Sequence, residues 1–538
     1  TAFTSANTDL TQLGQAFKFA GPVARAAGIS FEETSAALAL LGNAGLQASA
    51  AGTGLRGSIT KLLNPTKEAE EMLKKETGVS PAFVSAMKVI FMVIKLLVNK
   101  LGLNSSNSSK PPASDPNRDK KKKDKKPGNK KPGGQKGHKG ATLEKVEDPD
   151  EVLEFEIDLR TLPRGGNYTF EGWETRQMFD IKISRHVTEY RAQVFKDEQG
   201  NTFTAKFPEG VNRPAQYGAS VKGNAVYMSI YQLIPYERLR ELFSDQFNIP
   251  LSSGSLVAFN KEAARALDTF ELAAKHKLAV SGVINVDETG INVNGKQLWM
   301  HTVSNDLWTW IAPHKKRGKD AMDEIGILGR FKNVMVHDHW KPYFKFECLH
   351  SLCNAHHLRE LTRSFEQDEM RWAKGMHDFL IALNKRVDEN GGELDEREIE
   401  EWLLRYRKIL ETADNECPPP APLEKGSKKR GRQKKSKSRN LLERLRDCET
   451  EVLRFMTSVD IPFTNNLAER DFRMAKVHQK ISGCFRSFEG AVTFGKIRSF
   501  ISTCKKNGID ATTALQGLFE GKLPEFIQQE LAIINDTS

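Results

Sequence analysis

The chain has 538 residues, which predicts roughly three or four domains, and its 80 Lys and Arg against 69 Asp and Glu give a net charge of +11 that favours a polyanionic partner. Six cysteines with no framework spacing exclude a small disulfide-bonded secreted scaffold and indicate a reducing, cytoplasmic location. No signal peptide opens the chain, and Lys88, Lys95 and Lys100 interrupt the longest apolar stretch, 86–103, which excludes a membrane span and a membrane partner.

The first predicted domain, residues 1–86, is helical. Its first part is rich in Ala, Gly, Leu and Thr at helical spacing, and Ser30 with Glu33 fits a capping box. No pattern in it predicts a catalytic site. The segment, with its run GLRGSITKLLNPTKEA, resembles the core region of phage tail tape-measure proteins. Because residue 1 is Thr rather than Met, we expect the sequence to begin inside a longer reading frame.

The second predicted region, residues 87–145, joins an apolar helix to a basic arm. Residues 104–140 include no large apolar side chain, so this arm cannot offset its ordering entropy and is expected to be disordered when free. One interpretation is an electrostatic arm in which Lys121, Lys122 and Lys123 bind DNA phosphates and release counterions. The alternative interpretation is a solvated linker.

Residues 146–212 predict a small β-rich module. The stretches VLEFEIDL and FDIKISRHVTEYRAQVF alternate apolar and polar residues, as half-buried strands do. We expect a spacer or a DNA-contacting module here.

Residues 213–275 predict a helix-turn-helix unit. Helical segments 218–232 and 236–243 precede the turn-like FNIPL, and Ser252 or Ser253 can cap a third helix. Three such helices can place the last one in the major groove of DNA. Short helices around a Pro-containing turn are equally common as plain packing, so both interpretations stay open.

Residues 276–505 predict an α/β domain with a mixed sheet of the ribonuclease-H-like kind. Apolar residues alternate over 281–312, and Asn294-Gly295 suits a two-residue hairpin turn, which together predict three antiparallel strands. A helix over 319–328 and the strand NVMVHDHW follow. Three antiparallel strands, a helix and a parallel strand describe the ribonuclease-H-like core.

Two aspartates mark strand ends in this predicted sheet. Asp287 ends or nearly ends the first strand and Asp338 ends the fourth, and because these strands lie side by side the two carboxylates can approach each other. They would repel unless a cation joined them, and hard oxygen ligands select Mg²⁺ or Mn²⁺. Two such ions about 3.5–4 Å apart can activate a hydroxyl and stabilise the leaving oxygen in phosphoryl transfer. The alternative is that the two aspartates simply face water at their strand ends. For either aspartate considered alone, this alternative is the better interpretation.

A third carboxylate lies in the run PFTNNLAERDFRMAKVHQKISG. Thr464 or Asn465 can cap a helix there. One face of that helix presents Asn465, Asn466, Glu469 and Arg473. Glu469 would complete the metal site. The alternative is a surface ion pair between Glu469 and Arg473, worth about a few tenths of a kcal/mol.

Six motifs carry a resemblance to a known family. In order they are VDETG, RGKDAMDEIGIL, VHDHWKPYF, LCNAHHLREL, PFTNNLAERDFRMAKV and QKISGCFRS. Their order and spacing resemble those of transposases of the insertion sequence 66 type, and NSSNSSKPP and KPGGQKGHKGATLE resemble the region before the catalytic core in that family. The resemblance covers roughly residues 100–525. It implies that the catalytic and metal-binding carboxylates are Asp287, Asp338 and Glu469.

The resemblance also implies a helical insertion between the second and third carboxylates, here about residues 341–458. Helical periodicity in MRWAKGMHDFLIALNKRV agrees with it, and the basic run KGSKKRGRQKKSKSR predicts either a DNA-facing loop or a solvated one. A helical tail, 506–538, is expected at the carboxy terminus.

The chain departs from that family in two places. Family members commonly carry a Cys-rich zinc element after the basic arm, but residues 159–179 include no cysteine, so we expect no zinc there. The usual amino-terminal coiled coil is replaced by the segment that resembles tape-measure proteins.

A second cluster of residues of the kinds that bind metals is interpreted as structural or DNA-contacting. The cluster C-x₄-C-x₂-H-H, from Cys348 to His357, is predicted to be helical with its ligands on different faces, which favours a structural or DNA-contacting role. His337 and His339 alternate away from Asp338 and are interpreted as residues that shape the site rather than as ligands.

These features together predict a Mg²⁺- or Mn²⁺-dependent DNA transposase that hydrolyses a phosphodiester at the element end and then uses the freed 3′-hydroxyl to attack target DNA. No ATP is required, and the chain has no GxxxxGK[ST] loop. We expect Arg470, Arg473 and Lys480 to hold phosphates, and Asn465 and Asn466 to orient the helix of the third carboxylate or to contact DNA. Expected partners are double-stranded element ends and target DNA, further copies of the chain on that DNA, and accessory proteins of the element.

Two alternatives stay open. A structural phage tail protein is favoured by the first 80 or so residues and opposed by the remainder. An inactive transposase relic that only binds DNA is suggested by the fusion and the missing cysteines, and the presence of all three carboxylates argues against it.

Overall fold

The computed structural model describes residues 10–26, 31–43, 48–63, 104, 106–108, 143–181, 183–420 and 435–537. The chain divides into two compact units, Lys120–Phe259 and the combination of Thr1–Asp119 with Asn260–Ser538. Lys121, Lys122, Lys123 and most of the basic run in the predicted insertion lie outside the described residues.

The amino-terminal part is helical, as predicted. It has the helices α1 (Leu10–Ala26), α2 (Phe31–Asn43) and α3 (Ala48–Leu63). Their core is built from leucine and alanine side chains, namely Leu13, Ala16, Ala20, Leu38 and Ala51. A Cβ at Gly52 would lie 2.3 Å from the carbonyl oxygen of Ala16, so α1 and α3 approach too closely for any side chain there. Ser30 of the predicted capping box lies outside the described residues.

The prediction of a β-rich module over 146–212 is wrong for most of its length. Its described residues, which omit only 182, form a 3₁₀ turn (Leu159–Thr161) and one hairpin of β1 (Val194–Lys196) and β2 (Thr202–Thr204). Phe155 and Ile157 of the predicted strand VLEFEIDL are 82% and 68% exposed. Alternation indicates a strand only where a partner strand and a covered face exist, and this stretch has neither.

The three helices predicted for 213–275 are present. They are α4 (Ala219–Val226), which continues into a π-helical turn (Tyr227–Tyr231), α5 (Tyr236–Phe247) and α6 (Ser253–Ala266). Ser252 is the N-cap of α6, because its Oγ accepts a hydrogen bond from the Ser255 amide at 2.9 Å. The division between the two compact units falls inside α6, after Phe259.

A five-stranded mixed sheet follows α7 (Asp268–Ala279). In chain order its elements are β3 (Val283–Val293), β4 (Lys296–Ser304), β5 (Thr309–His314), α8 (Lys319–Ile325), β6 (Val334–His337) and β7 (Leu349–Leu352). The strand order is β5-β4-β3-β6-β7, in which β3, β4 and β5 are antiparallel and β6 runs parallel to both β3 and β7. The predicted turn joins β3 to β4, with φ of 48° at Asn294 and 80° at Gly295.

Strand β7 corrects the prediction of a helix from Cys348 onward and the placing of the insertion's start near 341. Four residues are too few for a period of 2 to be told from one of 3.6, and only pairing with β6 selects the extended form. The helix begins one residue after Cys353.

The helical insertion has its own apolar core. Its helices are α9 (Asn354–Asp368), α10 (Arg371–Glu389), α11 (Glu396–Glu416), α12 (Lys437–Asp447) and α13 (Glu449–Leu453), followed by a 3₁₀ turn (Arg454–Met456). The core includes Trp372, Leu380, Tyr406, Leu441 and Phe455, all 4% exposed or less.

Four helices complete the chain. They are α14 (Asn466–Ser482), α15 (Phe488–Lys506), α16 (Ala511–Phe519) and α17 (Glu525–Thr537). Helix α15 lies directly on β5, where a Cβ at Gly495 would be 2.6 Å from the Ile311 carbonyl oxygen. Among the described residues no helix is both long and apolar enough to cross a membrane, and the stretch 86–103 lies outside them.

Candidate functional site

The parallel pairing of β3 with β6 brings Asp287 and Asp338 to the same level. The last paired residues are Asn285 and Val336, and each aspartate follows its strand's last pair by two residues. Asp287 does not end its strand, since β3 continues along β4 to Val293, but it lies where the pairing with β6 ends. There the chain turns away, and the Asp338 carboxylate accepts a hydrogen bond from the Trp340 amide at 2.9 Å.

The Asp287 carboxylate lies among other acids. Burial raises its pKa well above the usual range, and the charges of Glu288, Asp338 and Glu469 raise it further. A hydrogen bond of 2.8 Å from the Glu288 amide opposes this only in part. Asp338 and Glu469 are therefore both within electrostatic reach of Asp287. Oxygen donors with concentrated negative charge fit a hard divalent cation such as Mg²⁺ or Mn²⁺.

Glu469 is held by the residue that precedes its helix. Asn465, only 1% exposed, donates from Nδ2 to the Val286 carbonyl at 2.8 Å and accepts from Asn285 Nδ2 at 2.9 Å. Its side chain therefore binds β3 beside Asp287 instead of capping α14. Of the two roles expected for Asn465, orientation of the helix fits this position, and a DNA contact does not because the side chain is buried.

A second anchor fixes α14 at Asp471, six residues after Asn465. Asp471 Oδ2 accepts from Lys506 Nζ at 2.8 Å and from Thr309 Oγ1 at 3.0 Å. The Lys506 and Asp471 side chains are 11% and 7% exposed, so this is a buried ion pair that ties α14 to α15 and β5. Sequence reasoning missed this pair, although an acid two residues after Glu469 on the helix was a visible signal.

An exposed basic stripe runs along α14 beside Glu469. We use the name α14 stripe for its members, which are Asn466, Arg470, Arg473 and Lys480. At 3.6 residues per turn they occupy a sector of about 80°, with Glu469 at its edge. Within the described residues none of its three cations pairs with a carboxylate, so the alternative Glu469–Arg473 ion pair is not formed. These cations are free to bind phosphate.

A buried network on the other side of β3 was not predicted. The Arg317 guanidinium donates to Glu288 Oε1 at 2.8 and 2.6 Å, and the Tyr343 hydroxyl donates to Oε2 of the same carboxylate. Arg317 also lies over the rings of Trp299 and Trp340, at 4.7 and 4.1 Å from their centroids. Trp340 and Tyr343 lie in the turn that follows Asp338. The network therefore holds the turn that presents Asp338. Strand alternation places Glu288 opposite Asp287, which was the available signal.

Two histidines beside Asp338 are turned into the protein. His337 Nε2 lies 3.0 Å from His350 Nδ1, and burial lowers the pKa of His337 to about 3. His339 Nε2 lies 3.5 Å from Cys448 Sγ, and burial lowers its pKa to about 4. Both imidazoles are neutral at pH 7, in keeping with residues that shape the site.

The chain is similar to two unrelated kinds of protein. Residues 214–493, just over half of its length, match the transposase IS66 family, and residues 1–108 match phage-related minor tail proteins. It is 38% identical over 74 residues to a tape measure protein of Pneumococcus phage Dp-1, which is 14% of this chain and 6% of that protein. It is also 38% identical over 88 residues to a probable tape measure protein of Escherichia phage P2, 16% of this chain and 11% of that one. The chain thus spans only a small part of these curated relatives.

Proposed function

The chain belongs to the transposase IS66 family, and from this premise we propose that Asp287, Asp338 and Glu469 are its catalytic, metal-binding carboxylates for cutting and joining DNA. One observation carries the proposal. Asp287 and Asp338 lie at the same level of neighbouring parallel strands. The helix that carries Glu469 is held on the first of those strands by a hydrogen bond from the buried Asn465. Nothing in folding alone requires two further acids to lie within electrostatic reach of the buried Asp287.

The topology supports a ribonuclease-H-like core for residues 276–505. The strands lie in the order β5-β4-β3-β6-β7, in which β3, β4 and β5 are antiparallel and β6 runs parallel to β3 and β7. Helix α8 lies between β5 and β6 in the chain. In this arrangement the insertion of helices enters after β7 and the chain returns with α14. The remaining predicted domain borders, including 213–275 for the helix-turn-helix and 506–538 for the tail, are kept as part of the proposal.

Each group of residues has a role in the proposed reaction. Bound Mg²⁺ or Mn²⁺ would activate a hydroxyl and stabilise the leaving oxygen of the phosphodiester. Asp287, Asp338 and Glu469 would hold the ions, while Asn465 and the Arg317–Glu288 network keep the carboxylates in place. The α14 stripe would bind the phosphates of the strand being cut. The same carboxylates would serve hydrolysis at the element end and the attack of its 3′-hydroxyl on target DNA.

DNA is the proposed partner, as element ends and as target. Helices α4 to α6 would contribute end recognition, since the capped start of α6 leaves Ser253, Gly254 and Val257 exposed. Further copies of the chain and accessory proteins of the element are expected on the DNA. The phage tail function has support only in residues 1–108.

The test is cleavage and joining of a labelled element-end duplex in Mg²⁺ or Mn²⁺. We expect Asp338→Asn to lower the cleavage rate by at least about a hundredfold. Asp323→Asn is the matched control, because Asp323 is an exposed residue of α8. An intact protein that binds the duplex but neither cuts nor joins it with either metal would identify an inactive relic.

A further inference from the structure

Two members of the C-x₄-C-x₂-H-H cluster meet Glu469. The Sγ of Cys353, a ring nitrogen of His356 and a carboxylate oxygen of Glu469 all lie within 4.8 Å of one another. Cys348 is separated from them by β7, and His357 is buried and bonded to Asn354 Oδ1 at 3.0 Å. The interpretation of the cluster as structural or DNA-contacting was drawn from a continuous helix, and the strand β7 removes that premise.

We propose that Cys353, His356 and Glu469 bind a transition-metal ion of the Zn²⁺ class, and that this ion inhibits the enzyme by withdrawing Glu469 from the catalytic carboxylates. The second half rests on the proposed function. The donor set is one sulfur, one nitrogen and one oxygen, which suits Zn²⁺ and not Mg²⁺. This site would be distinct from the cysteine-rich zinc element that residues 159–179 lack.

The distances allow one ion to reach all three groups. Zinc bonds of about 2.0–2.3 Å at tetrahedral angles place neighbouring ligand atoms roughly 3.3–3.8 Å apart. Ligand atoms within 4.8 Å of one another therefore need to approach each other by about 1.5 Å at most. Glu469, half-buried in the first turn of α14, is a long side chain that can turn between the aspartates and this site.

The polar surroundings favour an ion. His356 Nδ1 is buried and has no hydrogen-bond partner among the described residues, which is an unfavourable state for a polar atom. The Asn465 amide donates to Cys353 Sγ at 3.1 Å, a contact that also stabilises a thiolate. Binding of the ion would displace the Cys353 thiol proton, which is released to solvent.

The first test uses Co²⁺ as a spectroscopic substitute for Zn²⁺ on the full-length chain, without DNA. We expect a thiolate-to-cobalt charge-transfer band that Zn²⁺ abolishes. Cys353→Ser should remove the band, and His356→Gln and Glu469→Gln should each weaken the affinity at least about tenfold. Cys348→Ser is the matched control and should keep both band and affinity. Thermal unfolding of each variant establishes that it is folded.

Two results would overturn the site. One is the absence of the band in the intact protein, and the other is a band that survives both Cys353→Ser and His356→Gln. Because the cobalt measurement involves no strand cleavage, its outcome is independent of whether the proposed function is correct.

The second test measures inhibition of Mg²⁺-supported cleavage by Zn²⁺. Each variant is compared with its own rate in Mg²⁺ alone, and Cys353→Ser and His356→Gln should require at least about tenfold more Zn²⁺ for half-inhibition. Equal inhibition of the intact chain and both variants would overturn the competition for Glu469, even if the cobalt site exists.

Discussion

The helices of residues 10–63 and the sheet domain with α14 bury very different residues. The first region has a core of Leu and Ala and brings its helices together at Gly52. The second buries Glu288, His337 and the Lys506–Asp471 pair, and it raises the pKa of Asp287 through burial and, beyond that, through the charges of neighbouring acids. Buried charge destabilises a fold unless it is paired or bound by a cation. In the first region, therefore, the buried residues only pack together, whereas in the second the buried residues include charged groups that surround the candidate site.

The largest effect on stability is expected at the buried ion pair of the second region. Lys506→Met leaves Asp471 buried without its partner, which should lower the free energy of unfolding by about 3–5 kcal/mol. The matched control is Lys522→Met, because the Lys522–Glu520 pair is exposed and solvent-screened and should contribute little to the free energy of unfolding. Chemical denaturation measures both. Equal losses in the two variants would contradict the idea that the second region depends on buried charge.

The next effect is a dependence of stability on pH. Burial and the charge of Asp338 outweigh the hydrogen bonds from Tyr343 and Arg317 and raise the pKa of Glu288 from 4.5 to about 7. The folded state therefore holds a proton that the unfolded state loses above about pH 4.5. The contribution of this proton to the free energy of unfolding is full below that pH and is lost as the pH rises through 7. The shift corresponds to about 3 kcal/mol.

Comparison of the intact chain with Glu288→Gln isolates this contribution. His301 and His337, whose pKa values burial lowers to about 4 and 3, act in the opposite direction over the acidic part of the range, but they are present in both proteins. We expect the decline in stability between pH 5 and 8 to be smaller in Glu288→Gln by roughly 3 kcal/mol. Identical pH profiles in thermal unfolding would remove Glu288 as the cause.

A third prediction separates two neighbours that the sequence could not distinguish. Asn465→Ala breaks the bonds that fix α14 on β3, so we expect the cleavage rate at saturating DNA to fall about 10–100-fold. Asn466→Ala changes only the exposed α14 stripe and should weaken DNA affinity, with the saturated rate nearly unchanged. Rates measured over a range of DNA concentrations distinguish the two. A loss confined to affinity in Asn465→Ala would argue against a positioning role.

Asn465 also illustrates how far the sequence could lead. Alternation and the Asn294-Gly295 turn predicted strands β3 to β6, and the capping and helical spacing around Glu469 predicted the helix α14 that carries it. Neither could tell a buried asparagine from an exposed one beside it, because that depends on the contact with β3. For the same reason β7, the Lys506–Asp471 pair and the approach of Cys353 to Glu469 were missed, since each exists only through pairing of distant segments.

The smallest expected effect on activity tests the first region. Ala at Gly52 would place a Cβ against the backbone of α1, whereas Ala at Gly54, which has open space, should stabilise α3 by about 1 kcal/mol. Hydrogen exchange of residues 10–63 should accelerate in Gly52→Ala and slow in Gly54→Ala. Strand cleavage should be unaffected in both, because the carboxylates, the α14 stripe and the anchors of α14 all lie in residues 283–506. A cleavage rate that follows the exchange would mean that the two regions act as one, and that the tape-measure-like segment has become part of the enzyme.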